Sequence, residues 1–142
     1  PKPSITPNEF LKAFPLEMQA LANTLRGLVR QARPDTIEDV KSGWQLIGLH
    51  LPNKPKPIYY GFIIPHPNSV TLGFQYGIAL KAPAGLLLGA EEKLVQVRYI
   101  SIRKPSEIKR KLFVDLISSA ADIAAMPKEL RFALLVSAHH RS

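Results

Sequence analysis

At 142 residues, with 46% hydrophobic content and a net charge of +8, the chain has the size of one domain, 1–142, and enough apolar surface for one packed core. It holds no cysteine, which excludes disulfides, thiolate metal sites and cysteine nucleophiles and suits a reducing compartment. No stretch approaches the roughly eighteen apolar residues of a membrane span, and Pro1 to Glu9 shows no basic-then-apolar leader, so a soluble cytoplasmic protein without a membrane partner is expected.

The first element is a short helix. Thr6 followed by Glu9 is a capping-box pair, and Pro7 falls at the first helical position, where its missing N–H costs nothing. This helix should stop near Phe14 and Pro15. From Leu16 the residues Met18, Leu21, Ala22, Leu25, Leu28, Val29 and Ala32 keep the three-four spacing of a helix with one buried stripe, and Pro34 ends it.

Beyond Pro34-Asp35 the pattern turns to β-branched and aromatic runs. Trp44 to Leu51 and Ile58 to Ile64 read as strands joined by the Pro52–Pro57 loop. Val70, Leu72, Phe74 and Tyr76 alternate with Thr71, Gly73, Gln75 and Gly77, a strand with one apolar face and one face of small or polar groups. The missing side chains at Gly73 and Gly77 leave room for something to approach. Leu94 to Ile102 reads as a further strand, and sequential strands with short links should pair antiparallel. Helical spacing returns from Ile108 to Ala124. A last short helix is expected from Lys128 to about Ala138, with His139 and His140 in a disordered end. Helices at both ends of a strand-rich centre make an α+β fold, a central antiparallel sheet covered by N- and C-terminal helices.

The charge is concentrated. Arg98, Arg103, Lys104, Lys109, Arg110 and Lys111 face only Glu107 within one strand-to-helix corner, which favours anionic partners. Nucleic acid ranks behind a solvated basic face there, because single-strand binding also wants exposed aromatics and Tyr99 is the only one in that corner. Trp44, Tyr60, Phe74 and Tyr76 could instead wall a cleft between sheet and helices, with Arg98 orienting an anion, although large aromatics usually serve a core. His50 is the histidine best placed to face such a cleft. The candidate ligand-binding residues are therefore Trp44, His50, Tyr76, Arg98 and Arg103, for a small or anionic ligand.

No serine stands in a nucleophile elbow, and Ser106, after Pro105, reads as a helix N-cap. Histidines 50, 66, 139 and 140 lack metal-ligand spacing, and His66 sits between two prolines as a turn residue. No catalytic group, metal ligand or cofactor is called for.

Val70, Leu72, Gly73 and Phe74, then Leu86, Leu87, Leu88 and Gly89, then Arg98, Ile100, Ile102, Arg103, Pro105, Glu107 and Ile108 form a set that resembles the YdhG-like bacterial domains of unknown function. The opening helices resemble that family as well. Ala90-Glu91-Glu92-Lys93 replaces its glycine-lysine-rich turn, and Tyr99 stands where a histidine is often found. One member is regarded as a frataxin-like iron chaperone. The resemblance therefore implies a second reading, iron handling by surface acids, for which the adjacent pairs are Glu38-Asp39 and Glu91-Glu92.

Overall fold

The structure is a computed structural model that describes residues 5–141; of the expected single domain 1–142, residues 1–4 and 142 lie outside the described residues. The capping box forms as spaced: the Glu9 amide donates to the Thr6 hydroxyl, and the Glu9 carboxylate accepts from the Thr6 amide and hydroxyl, opening α1 (Pro7–Leu11). Pro15 starts α2 (Leu16–Ala32), whose stripe of Met18, Leu21, Ala22, Leu25, Leu28 and Val29 is buried.

The sheet has five strands in chain order, every neighbouring pair antiparallel: β1 (Ile37–Lys41), β2 (Leu46–Leu51), β3 (Ile58–Pro65), β4 (Val70–Phe74) and β5 (Arg98–Ile102). Pairing carries the rows Ile47–Ile63–Leu72–Ile100 and Gly61–Phe74–Arg98 across it. Because side chains alternate along each strand, these rows share one face. That face meets α2 and α3 (Arg110–Ala125), which pack on each other and on β3. Leu25, Ile47, Ile63, Leu72, Phe113 and Ile117 are fully enclosed between sheet and helices. Among the described residues, no helix packs on the opposite face, which bears Gly48, His50, Tyr59, Phe62, Gly73 and Tyr99.

Several elements depart from the pattern read in the sequence; strand β4 stops at Phe74, so Tyr76 and Gly77 lie in the turn beyond it and not on the strand. Strand β1 is a fifth strand where no β-rich run signals one, since its IEDVK segment carries three charges. An edge strand tolerates them, and Arg26 of α2 grips Glu38 through two bonds, from Nε at 2.6 Å and Nη2 at 2.8 Å. Arg26 Nη1 also reaches Asn8 and Asn23, so one guanidinium ties both N-terminal helices to the sheet edge. Strand β2 begins at Leu46, not Trp44: a 3₁₀ turn, Ser42–Trp44, precedes it and Gln45 follows in the left-handed region (φ 54°). Strand β5 begins at Arg98, not Leu94, after a turn at Ala90–Glu92 and a left-handed Lys93.

Ser106 is not a cap. It lies within a 3₁₀ turn, Pro105–Glu107, and α3 starts beyond it with no side-chain cap. The final helix, α4 (Lys128–Arg141), extends past the expected end and includes His139 and His140. Arg131 helps to dock it, donating to the carbonyls of Ala124 and Met126 and lying 5.1 Å from the centre of the Tyr76 ring.

Both sheet edges are managed. Charged β1 forms one. At the other, the Leu88 amide donates to the Tyr99 carbonyl at 2.7 Å and the Tyr99 amide to the Leu88 carbonyl at 3.0 Å, while the Arg103 amide donates to the Glu107 carboxylate.

Candidate functional site

The bulge between Leu49/His50 and Tyr59 sets two aromatic rings side by side on the helix-free face, His50 opposite Tyr59 with ring centres 5.3 Å apart. Extra twist at a bulge re-aims side chains, here toward the turn that holds Trp44. Together Lys41, Trp44, Leu46, His50 and Tyr59 line an open groove of about 340 Å³. The turn and the left-handed Gln45 carry Trp44 out of the strand, and its indole is 80% exposed. A large aromatic left in water beside two others gives a ligand flat faces to stack on.

The polar atoms of this groove are unevenly served. Lys41 pairs with Asp39. The Nδ1 atom of His50 is enclosed and has no hydrogen-bond partner among the described residues, an expense that a bound donor or acceptor would relieve. Burial, reinforced by the Lys41 charge, lowers the His50 pKa below the ordinary imidazole value, with Asp39 and a hydrogen bond between the ring and the Ile37 backbone opposing. Burial pushes Tyr59 up to about 12, so its phenol stays protonated.

The His50 shift gives a pH dependence with a definite sign. Its pKa is lower folded than unfolded, so its contribution is fully present above the unfolded value of about 6.5 and is lost as pH falls toward the folded value. Between about pH 7.5 and about pH 5, the melting temperature of His50→Asn should therefore fall less than that of the wild type. Equal slopes in thermal melts would show that His50 does not titrate with folding.

The five expected ligand residues separate. Trp44 and His50 share the groove. Their expected companions do not: Tyr60 and Phe74 are buried in the core on the opposite face, so the space between sheet and helices is packed rather than cleft-shaped. The Tyr60 hydroxyl pairs with that of Thr36 at 2.7 Å. Tyr76 sits under Arg131 and serves the docking of α4.

Arg98 shares the core-facing side with Ile100 and Ile102 and is only 8% exposed. It needs partners there, and its Nη1 donates to the carbonyls of Val97 at 2.7 Å and Leu94 at 2.9 Å. Its stem is held between two glycines: a Cβ at Gly77 would lie 2.5 Å from Arg98 Cβ, and one at Gly89 3.5 Å from its Cδ. What approaches Gly77 is thus the chain itself, and Arg98 pins the curled β4–β5 connection. Gly73 is covered in the same manner by the ring of Phe62.

Arg103 stands apart, exposed, in an open groove of about 510 Å³ with Ser101, Ser106, Glu107 and Lys109. Lys104, Arg110 and Lys111 are exposed as well. Arg98→Ala should cost about 1.5 to 3 kcal/mol, since two charge-assisted bonds vanish from a buried position, whereas Arg103→Ala should stay within about 0.5 kcal/mol. Urea unfolding of both variants checks this. Similar losses would mean that Arg98 is not the pin.

The acids behind the iron reading are engaged separately: Glu38 with Arg26, Asp39 with Lys41, and Glu92 with the Tyr99 hydroxyl. Among the described residues no three His, Asp or Glu side chains stand together as a metal site.

Sequence reasoning missed Lys41, Leu46 and Tyr59. Tyr59 was accessible in principle, because alternation in the Ile58–Ile64 run sets it on the face opposite Ile58 and Tyr60; nothing in the sequence placed that face beside Trp44. Comparison with family models, with curated proteins and with solved structures finds no match for this chain.

Proposed function

We propose that this domain is a binding module, not an enzyme, and that it takes a small planar ligand carrying an anionic group in the groove of Lys41, Trp44, Leu46, His50 and Tyr59. The observation that carries this reading is the exposed indole of Trp44 beside the tilted His50–Tyr59 pair, with an enclosed imidazole nitrogen that lacks a partner. At about 340 Å³ the groove has the lower size of a small-ligand site, apolar walls and a few convergent polar atoms. The anionic preference rests on the +8 net charge, which attracts anions at long range, and an anion in the groove would compete with Asp39 for Lys41. The groove lies on the helix-free face, so a ligand enters without any movement of the helices.

Trp44 is the only tryptophan, so its emission reports on the groove alone. Titration with aromatic carboxylates, nucleoside monophosphates and inorganic phosphate should give a saturable emission change with one or more of the planar anions and none with phosphate. His50→Ala and Tyr59→Ala should each weaken that response about tenfold or more. If no planar anion gives saturation, or both variants respond like the wild type, the groove is not a ligand site.

A further inference from the structure

Helix α4 is two-faced. Arg131, Leu134, Leu135 and Ala138 turn toward the domain, while Glu129, Phe132, Ala133, Val136 and His140 are exposed. Their spacing of three, one, three and four residues places the exposed set on a single stripe. Of the ten large apolar side chains exposed among the described residues, five belong to α4 or to the loop before β5: Leu94, Val95, Leu130, Phe132 and Val136. Phe132 is 68% exposed and Val95 72%. With Ile78, Leu135 and Val136 they line an apolar groove of about 400 Å³. An apolar surface this concentrated marks an interaction site more often than chance exposure does.

We infer that this face joins two copies of the chain, their α4 helices lying antiparallel about a two-fold axis that passes between Phe132 and Val136. The stripe is self-complementary about that axis, as an isologous contact requires. Phe132 of one copy meets Val136 of the other, and Ala133, beside the axis, lets the backbones approach. Glu129 at the start of each stripe faces His140 at the end of its mate, so the acid of one copy lies against the imidazole of the other at both ends. A helix of 14 residues spans only about 21 Å, which puts the contact at the small end of specific interfaces. The dimer is therefore weak and concentration-dependent, and each subunit's +8 charge opposes it at low salt. This inference stands apart from the aromatic groove, which lies at another part of the molecule.

Sedimentation of the intact chain from about 10 µM to about 1 mM, near 0.15 M salt, tests it. The expected result is a reversible monomer–dimer equilibrium that Phe132→Asp weakens about tenfold or more. Glu129→Lys should weaken it as well, and Glu129→Lys combined with His140→Glu should restore it, because a lysine and a glutamate then face each other at both ends. Phe132, Glu129 and His140 are exposed, and circular dichroism of each variant would confirm that folding is intact. A monomer at every concentration, a dimer indifferent to Phe132→Asp, or no recovery in the charge-exchanged variant would overturn the inference. A monomer that instead binds anionic lipid vesicles through Phe132 would overturn it and assign the face to lipid.

Discussion

Leu25→Ala is expected to lower stability by about 2 to 5 kcal/mol, more than any surface substitution in this chain. Leu25 lies mid-helix in α2 with no exposed surface, among Leu21, Leu28, Val29 and the enclosed residues of β3, β4 and α3. Truncation removes the transfer free energy of the side chain and leaves a cavity that the surrounding elements close only in part. Helix α2 contacts α3, β3 and β4 at once, so it cannot tilt to fill the void without opening another contact. Denaturant unfolding followed by circular dichroism gives the loss as a shift in midpoint at constant slope. A loss below about 0.5 kcal/mol would mean that α2 is not docked through this stripe.

Gly61→Ala is the second large effect, near the upper end of overpacking costs at about 3 kcal/mol. A Cβ there would stand 2.6 Å from the carbonyl oxygen of Gly73 in the neighbouring strand. The obstacle is backbone, and the strands cannot part without losing the bonds between β3 and β4. Gly73→Ala makes an instructive partner. Its Cβ would meet the Phe62 ring at 2.0 Å, a worse overlap on paper. The ring, however, is the far end of a side chain on the helix-free face and can swing away. Gly61→Ala should therefore be the more damaging of the two although its clash is the longer, and the reverse order in urea midpoints would show that Phe62 is locked over Gly73.

Local signals in the sequence led directly to the parts they control. The Thr6–Pro7–Glu9 start and the α2 stripe each depend on residues close in the chain, so their spacing is enough; the alternation from Val70 to Gly77 marks strand β4 but overruns its end at Phe74. Arg98 was also legible as the less exposed arginine, because it shares a strand face with Ile100 and Ile102. What spacing did not reveal was its partners, which lie at the curled backbone of Leu94 and Val97. Strand β1 escaped for a related reason: Glu38 and Asp39 look like loop residues until Arg26, twelve positions before Glu38, supplies the countercharge. The candidate groove was half visible. Trp44 and His50 were singled out from their residue types, but their side of the sheet depends on a turn with a left-handed Gln45 and on a bulge, neither of which leaves a periodic trace. Helix α4 runs past Ala138 to Arg141, beyond the end that its apolar spacing predicts.

The pair of bonds between Leu88 and Tyr99 occupies the outward-facing positions of β5 that an incoming strand from another molecule would use. Strand β5 alternates Ile100 and Ile102 with Tyr99 and Ser101, a pattern suited to cross-β stacking once its margin is bare. A short stretch of loop around Leu88 thus covers part of this margin of the sheet, and it does so from outside the strand ladder. Pro83, Gly85 and Gly89 shape that stretch. Substitutions among them that leave the melting temperature unchanged would still shorten the time to fibril formation, read by dye binding on gentle agitation.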